Sequence, residues 1–386
     1  MKKKICFVIL SRANYGSIKS VIFEFKKDNS FKSFIITGAS ANEDKFGNVS
    51  ELIERDFKID FKINMPSRPE SLIGMPQTVG SGLIELPLVL DKIKPDLVFT
   101  VGDRYETMTT VLSSSYMNIP IAHTMGGEIT GTIDESIRHA ITKFSHLHFV
   151  SNKDAYNRVI RLGENKKFVF NVGCPRNDLI RAELKKKNTK SSFKYLNSHG
   201  VGCKIDINER FIILLHHPVT TEFGKNKNYV EKLLDSILRL NIKCLILWPN
   251  ADSGSDEISK KIRIYREKGK LKNFRLIKNL PPEVYINILN NSKCIIGNSS
   301  SAIRDGSFLG VPAVNVGSRQ NKRLHGKNVI NTKVDRSEIL KALKYQISRN
   351  KKYKSEKIYG DGYAAEKILR CVKKIKKINI QKTIVY

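Results

Sequence analysis

Short apolar runs alternate with amphipathic stretches along this chain, and the alternation occurs in two rounds. The first round has six strand-like runs, KICFVIL, FKSFIITG, DLVFTVGD, IPIAHT, HLHFVS and KFVFNVG, and the second has five, FIILLHHP, KCLILWPN, FRLIKNL, KCIIGNSS and PAVNVGS. Helical spacing fills the gaps, as in YVEKLLDSILRL and VYINILN. Continuous apolar strands separated by helices are typical of parallel sheets that are covered on both faces. The pattern therefore predicts two doubly wound α/β domains.

A polar, Lys-rich stretch over residues 182–208 separates the two rounds and is expected to hold the connection between the domains. At 386 residues the chain exceeds the size at which a single core stops growing, so two domains of ordinary size are expected. We assign residues 1–181 to the first domain and residues 182–360 to the second. Residues 361–386 contain a further amphipathic helix, YAAEKILRCVKKIKK, and we expect this helix and tail to pack back on the first domain.

The composition describes a globular protein. Hydrophobic residues make up 40% of the chain and aromatic residues 8%, which excludes a disordered chain. No apolar run reaches the length of about 18 residues that a membrane span needs, and the start MKKKICFVIL lacks a cleavage site, so a cytoplasmic location is expected. The six cysteines are scattered without C-x-x-C spacing, which favours free thiols over a metal site or a disulfide framework.

A net charge of +31 raises the question of nucleic-acid binding. The lysines are spread along the chain, and their local clusters are not interleaved with aromatic residues as in a stacking platform. The sequence contains no zinc-finger spacing, RNP motif or basic zipper. We therefore expect no nucleic-acid partner. A positive field would instead draw a small anionic substrate into a cleft.

The densest group of chemically useful residues is HTMGGEITGTIDESIRHAITK, at the end of the strand IPIAHT. Gly126 and Gly127 let the backbone approach a ligand closely, and Glu128 follows at once. Asp134 and Arg138 are four residues apart, so they share one face of the helix that is predicted to begin at about residue 133. Two carboxylates then face one pocket. The competing interpretation is an ordinary capped helix with solvated charges.

Other polar residues follow the carboxyl ends of predicted strands, where ligands bind in doubly wound sheets. They are Arg12, Asp103, Arg104, His217 and Asn250. A Ser-rich segment over residues 298–301 ends one strand and opens a helix, and small hydroxyls at a helix N-terminus form an anion site that suits a diphosphate. The sequence has no Walker A motif, and no G-x-G-x-x-G follows the first strand, which disfavours an NTPase and a nicotinamide dehydrogenase.

Five segments together carry a family resemblance: RANYG, GDR at 102–104, HTMGGEITGTIDESIRHAITK, HHPVTTE at 216–222 and GNSSSAIRDGSFLGVPAVNVGSRQ. From the first strand to about residue 329 the chain resembles the hydrolysing UDP-N-acetylglucosamine 2-epimerases, which include bacterial enzymes of sialic acid synthesis. The resemblance implies two Rossmann-like domains of the GT-B type, with a UDP-sugar in the interdomain cleft and the nucleotide on the second domain. It implies no metal and no organic cofactor. A homo-oligomer, dimer or tetramer, is also expected.

The reaction that the resemblance implies is elimination of UDP to 2-acetamidoglucal, followed by addition of water to give N-acetylmannosamine. Proton transfer is assigned to four residues, without fixing which carboxylate makes each transfer: Asp103, Glu128, Asp134 and His217. The implied nucleotide contacts are Arg12, Ser299, Ser300, Asp305 and Arg319. Asp305 stands where the family usually has a Glu that holds the ribose hydroxyls. Supporting roles around the substrate fall to Arg104, Arg138 and Asn250.

Several alternatives stay open. A rival substrate within the family is UDP-2,4-diacetamido-2,4,6-trideoxyglucose, of legionaminic acid synthesis. A GT-B glycosyltransferase would use the same diphosphate site but would need an acceptor groove. At the level of residues, Arg104 could instead pair with a structural carboxylate such as Glu106 or Asp134. Of His216 and His217 only one can face the cleft, and His217 is the better placed.

Overall fold

The computed structural model describes residues 2–68, 70–186 and 188–385, and the first part of the chain forms one parallel sheet. Its strands are β1 (Lys3–Ile9), β2 (Phe31–Thr37), β3 (Phe61–Lys62), β4 (Leu97–Val101), β5 (Ile121–Thr124), β6 (Leu147–Val150) and β7 (Val169–Asn171), in the order β3-β2-β1-β4-β5-β6-β7. The helices of this half are α1 (Arg12–Lys27), α2 (Val49–Glu54), α3 (Gly74–Ile93), α4 (Thr107–Tyr116), α5 (Asp134–Phe144), α6 (Lys153–Arg161) and α7 (Pro175–Lys186).

The second part forms another sheet around β9. Its strands are β8 (Val201–Gly202), β9 (Phe211–Leu215), β10 (Lys243–Leu247), β11 (Phe274–Ile277), β12 (Cys294–Gly297), β13 (Ala313–Val316) and β14 (Val329–Thr332), in the order β14-β13-β12-β9-β10-β11-β8. Its helices are α8 (Thr189–His199), α9 (Asn226–Leu238), α10 (Ser255–Glu267), α11 (Pro282–Asn291), α12 (Ser300–Leu309) and α13 (Arg336–Ser348). Only the edge strand β8 runs antiparallel among the strand pairs of the described residues. Two doubly wound sheets confirm the predicted α/β class.

The continuous apolar runs exist because both faces of each central strand are buried. In β1, Phe7 and Ile9 point into one core cluster, while Cys6 and Val8 point into the cluster on the opposite face. Successive side chains of a strand point to opposite faces, so a strand covered on both sides must be apolar at every position. The first of these clusters also contains Ile213 of β9, which means that one core is continuous between the two sheets.

Three edge strands, β3, β8 and β14, were not predicted from the sequence. The first two contain only two residues each, and β8 is exposed, so neither produces an apolar run. The four residues of β14 are only partly buried because the strand lies at the edge of the second sheet. Strands of this kind are determined by the neighbour that they pair with, and not by their own composition.

Helices, not an extended linker, occupy much of the polar stretch between the two rounds. The proposed boundary after residue 181 lies inside α7, which packs against α1 of the first half and α11 of the second. A last helix, α14 (Ala364–Lys374), contacts α1 and α7, and the carboxylate of Asp178 accepts hydrogen bonds from its first N–H groups, at Ala364 (2.9 Å) and Ala365 (2.7 Å). Among the described helices none is long and apolar enough to cross a membrane.

Gly297, at the end of β12, gives a test of how closely the central strands approach each other. Its φ is +132°, and a Cβ atom built on it would lie 2.1 Å from the carbonyl oxygen of Leu215. We expect Gly297→Ala to lower the free energy of unfolding by about 3 kcal/mol or more, because backbone strain and a clash with backbone add together. Urea unfolding followed by circular dichroism would measure the loss.

Gly269 provides the matched control, since its φ is +68° and a Cβ there would meet nothing within 4 Å. Gly269→Ala should cost only the backbone term, about 1 to 2 kcal/mol. Equal losses in the two variants would contradict the close approach of β12 to β9.

Candidate active site

The carboxyl ends of the two sheets meet at a cleft of about 1130 Å³, a volume that includes the mouth open to solvent. Residues that follow β1, β4 and β5 line one side, and residues that follow β9, β10 and β12 line the other. The predicted site residues that line it are Arg12, Asp103, Arg104, His217, Asn250, Ser299, Ser300 and Arg319. The other four are outside this lining set, but each contacts a lining side chain, and Asp134 is partly exposed: Glu128, Asp134, Arg138 and Asp305.

The Ser-rich segment forms the start of α12, on the second side of the cleft. Ser299 is the N-cap, and its hydroxyl accepts a hydrogen bond from the N–H of Ser301 (3.3 Å). The first N–H groups of a helix favour a negative charge beside them. Arg319 adds a cation, because its Nη1 donates to the carbonyl oxygen of Asn298 (3.2 Å), immediately before the helix. The helix start and Arg319 together supply the N–H dipoles and the positive charge that the predicted anion site requires.

His217 lies at the end of β9, buried against this anion site. The side chain of Asn298 fixes its backbone, accepting from the N–H of His217 (2.7 Å) and donating to its carbonyl oxygen (2.8 Å). Its Nδ1 accepts the N–H of Asn250 (3.2 Å), so the neutral ring carries its proton on Nε2. Burial, reinforced by the nearby charge of Arg319, holds the pKa of His217 well below its usual range. His217 is therefore a neutral donor near pH 7.

The neighbouring His216 lies outside the cleft lining, as the alternation of side chains along a strand predicts. It is buried, and burial lowers its pKa to about 3. Neither ring nitrogen has a hydrogen-bond partner among the described residues.

Arg12, in the first turn of α1, connects the two halves of the molecule. Its Nη1 donates to the carbonyl oxygen of Lys278 (2.8 Å), and its Nη2 donates to the carbonyl oxygen of Trp248 (3.1 Å) and to the side chain of Asn250 (3.0 Å). Burial lowers its pKa to about 10, so the guanidinium stays charged at neutral pH. A fixed positive charge from the first half thus lies at the strand ends of the second.

Arg138 is fully buried and links two of the predicted carboxylate residues. Its guanidinium donates to the side chain of Asp103 and, through Nη1, to the backbone carbonyl of Glu128 (2.5 Å). Asp134 starts the same helix, α5, but the two side chains do not pair with each other; Asp134 lies 3.5 Å from Arg319 instead. The α5 helix therefore directs Asp134 and Arg138 to different partners.

Glu128 is buried between two arginines of the second half, at 2.5 Å from Arg304 and 3.1 Å from Arg323. Burial alone would raise the pKa of Glu128, but the two guanidinium groups outweigh it and hold the pKa below its usual value. Burial raises the pKa of Asp134, helped by the charge of Asp252 and only partly opposed by Arg319. The two carboxylates of this loop and helix are therefore electrostatically different.

Two predicted residues have structural partners that limit what they can contact. Arg104 pairs with Glu106, which is one of the structural carboxylates that the sequence analysis offered as a partner. It also pairs with Asp252 (2.9 Å) across the cleft. Asp305 is fully buried, and both of its carboxylate oxygens accept from Arg176, at 2.5 to 3.1 Å. Both oxygens of the short Asp305 side chain thus already have partners, and the expected contact with ribose hydroxyls stays a prediction.

Four of the lining residues that were not predicted carry a guanidinium or phenol group that could contact a ligand: Arg176, Tyr285, Arg304 and Arg323. A signal existed for one of them, since Arg176 follows the end of β7 as the other ligand-side residues follow their strands. Arg304 and Arg323 become visible only when Glu128 is placed between them, 176 residues from Arg304 in the sequence. In the described ranges no cluster of three His, Cys, Asp or Glu side chains is suited to hold a metal ion.

The model of the family described as UDP-N-acetylglucosamine 2-epimerase matches residues 24–373. The chain belongs to this family. It is 31% identical to the UDP-N,N′-diacetylbacillosamine 2-epimerase (hydrolyzing) of Legionella pneumophila, over 97% of each chain. It is 30% identical to the GDP/UDP-N,N′-diacetylbacillosamine 2-epimerase (hydrolyzing) of Campylobacter jejuni, over 86% of this chain and 85% of that one.

Among solved structures, the UDP-GlcNAc 2-epimerase of Methanocaldococcus jannaschii in complex with UDP-GlcNAc and UDP superposes with a TM-score of 0.78. The alignment covers 96% of this chain and 99% of that chain at 21% identity. This likeness shows a shared fold, and it confirms the predicted pair of Rossmann-like domains of the GT-B type.

The ion triad around Glu128 leads to a stability prediction. Glu128→Gln removes the one negative charge between Arg304 and Arg323, so two buried cations lose their partner. We expect the free energy of unfolding to fall by about 3 to 5 kcal/mol, the scale for removing one member of a buried ion pair. Urea unfolding at pH 7 would measure it.

Asp154→Asn is the control, because Asp154 forms an exposed pair with Arg158 (2.9 Å) on one helix. Its loss should cost no more than about 0.5 kcal/mol. A similarly small loss in Glu128→Gln would mean that Glu128 is not the partner on which the two arginines depend.

Proposed function

We propose that this protein is a hydrolysing 2-epimerase of a UDP-activated 2-acetamido sugar, which releases UDP and the free sugar inverted at C2. The observation that carries the proposal is the position of Arg319, which donates to Asn298 at the start of α12 and lies 3.5 Å from Asp134. A diphosphate bound at the start of α12 would then lie near a carboxylate whose pKa is raised by burial. The names of two relatives, the diacetylbacillosamine 2-epimerases at 31% and 30% identity, both include the word hydrolyzing and support the hydrolytic outcome.

The first chemical step would break the bond between C1 of the sugar and the diphosphate oxygen. The bonding electron pair leaves with UDP, so negative charge develops on the β-phosphate. Ser299 and Ser300 at the start of α12, with Arg12 and Arg319, supply fixed dipoles and positive charges around this position. His217, neutral with its proton on Nε2, lines the same region and can donate a hydrogen bond to the leaving group.

Loss of the C2 proton accompanies departure of UDP and leaves a C1=C2 double bond. We assign the removal of this proton to Asp134, because a carboxylate with a raised pKa is the stronger base. Glu128 is the weaker candidate, since its charge is neutralised by two arginines. Water then adds its hydroxyl to C1, and a proton reaches C2 from the opposite face. The balance is one water consumed, with UDP and the 2-epimer formed. Asp103, held by Arg138, is our candidate for the group that serves the second proton transfer.

Two substrates remain candidates. The names of the two relatives favour UDP-N,N′-diacetylbacillosamine, which carries acetamido groups at C2 and C4, and we rank it first. UDP-N-acetylglucosamine, which the sequence resemblance favours, is the second candidate, supported by the description of the family. Both present the same nucleotide and the same C2 acetamido group, so the proposed proton transfers apply to either.

A deuterium experiment tests the reaction. The protein would be incubated in deuterium oxide with each sugar nucleotide in parallel, without any acceptor, and followed by proton NMR. We expect free UDP and a free 2-epimerised sugar that carries deuterium at C2, because the proton removed there exchanges with solvent before its replacement arrives. Initial rates should be higher with the diacetamido sugar.

Each outcome distinguishes one alternative. A UDP-linked epimer without free sugar would indicate a non-hydrolysing epimerase. No free sugar and no epimer without an acceptor would favour a glycosyltransferase. Product that keeps its original C2 hydrogen in full would exclude elimination as the first step. Faster release from UDP-N-acetylglucosamine would reverse our ranking of the substrates.

The pH dependence of kcat/KM tests the role of Asp134. A base must be ionised, so activity should rise with pH through the pKa of Asp134. Arg319 lowers that pKa, although burial outweighs its effect. Removing the cation in Arg319→Ala should raise the pKa further and move the rising limb to higher pH. Arg319→Lys keeps the charge and should leave the limb near its parental position. A limb that is the same in all three proteins would assign the base to another residue.

A further inference from the structure

Arg176, in the first turn of α7, is a lining residue of the cleft that the reaction described above does not use. Its Nε donates to both oxygens of Asp305 (2.9 and 3.1 Å), and its Nη2 donates to one of them (2.5 Å). Nη1 makes no hydrogen bond to any described residue, and the side chain is 20% exposed. One edge of the guanidinium is thus occupied by a carboxylate, while the other edge is open at the cleft.

Asp305 is held as firmly as the arginine that it binds. It is fully buried in α12, and one of its oxygens also accepts from the hydroxyl of Ser301 (2.7 Å), which in turn lies 2.5 Å from the hydroxyl of Tyr285. A guanidinium is planar, so a carboxylate on one edge fixes the direction of the opposite edge. Asp305 therefore determines where Nη1 of Arg176 points.

Gly16 of α1 provides the space for this guanidinium. A Cβ atom built at Gly16 would lie 2.6 Å from Nη1 of Arg176, and no other atom of the surroundings would be closer than that. The glycine lies inside a helix, where alanine is favoured by about 1 kcal/mol. Backbone conformation does not require a glycine here, because its φ is not positive. The requirement is room beside Arg176.

Asp305, which holds Arg176, lies on the same helix as the serines of the proposed anion site. Asp305 follows Ser301 by four residues, a rise of about 6 Å along α12. The charged side chains that line the cleft, within the described part of the chain, are six arginines and the single carboxylate Asp103. Five of these arginines already pair with carboxylates, but Arg12 and the open edge of Arg176 favour an anionic ligand with several acceptor oxygens, which is the character of a nucleoside diphosphate.

We propose that Arg176 is a further nucleotide-binding residue, which donates from Nη1 to an oxygen of the diphosphate, and that Asp305 is its positioning residue. The inference rests on the proposed function, since it names a contact of the same nucleotide. It gives Asp305 a role without contact to the ribose. It also gives Gly16 a role, as the position that leaves Nη1 in place.

Isothermal titration calorimetry with UDP and with uridine tests the proposal, because only UDP carries phosphate. Arg176→Ala should weaken UDP binding about 10- to 100-fold, as expected for losing one charge-assisted hydrogen bond, with little change for uridine. Asp305→Asn should weaken UDP binding in the same direction but less, because the guanidinium remains and only its orientation is released. Lys185→Ala, which removes an exposed cation from the same helix, is the control and should bind as the parent does.

Gly16→Ala makes the same test without removing any charge. Its methyl group should displace Nη1 and weaken UDP binding, while thermal stability stays the same or rises through the better helix former. In the Arg176→Ala background, Gly16→Ala should have no further effect on binding. This variant keeps the proposal testable if Arg176→Ala or Asp305→Asn fails to fold.

The outcomes separate three conclusions. Equal losses of UDP and uridine affinity would mean that Arg176 and Asp305 contact the ribose. UDP affinities that match the parent would mean that these two residues contact no ligand. Either result overturns the proposal. A full effect of Gly16→Ala in the Arg176→Ala background would overturn the role given to Gly16. A parent protein that does not bind UDP would instead reject the proposed function, whatever the variants do.

Discussion

The geometry of the cleft depends on one buried arrangement of charges, the carboxylate of Glu128 between the guanidinium groups of Arg304 and Arg323. Removing these groups from water is costly, so they are stable only when they meet. Glu128 belongs to the loop after β5, and Arg304 belongs to α12. Their contact therefore fixes the start of α12, with its anion site, against the strand ends of the first half. Arg12 makes a second connection between the two halves. It belongs to the first half and donates to the carbonyl oxygens that directly follow β10 and β11 of the second.

The same arrangement distinguishes the carboxylates from one another. Glu128 is neutralised by two cations, Asp103 is held by the buried Arg138, and Asp134 has a raised pKa with Arg319 at 3.5 Å. Acid and base roles are separated when neighbouring groups shift titration in opposite directions. A site that needs one proton removed and another supplied thus acquires unlike carboxylates from its surroundings, with no difference required in their side-chain chemistry.

The features that could be predicted from the sequence are those that depend on a local pattern of residues. Central strands such as β1 and β9 were predictable because burial on both faces makes every position apolar, and the anion site was predictable because serines at a helix start are neighbours in the chain. Contacts between distant segments were not predictable. Arg176 and Asp305 are 129 residues apart, and nothing in either local sequence indicates the other. The edge strand β8 was missed for a related reason, since its pairing with β11 is what makes it a strand.

The role of Asp305 cannot be inferred from its position in the family alone, because it depends on the residues that the side chain contacts. The family resemblance implies a longer acid there that holds the ribose, whereas this chain has an aspartate bound on both oxygens by Arg176 and Ser301. Contacts to the diphosphate are common to every UDP-sugar, so they bind the nucleotide without choosing the sugar. Under the proposed function, selection between one and two acetamido groups would come from cleft residues that contact the sugar. Nucleotide affinity and sugar preference would then be set by separate residues.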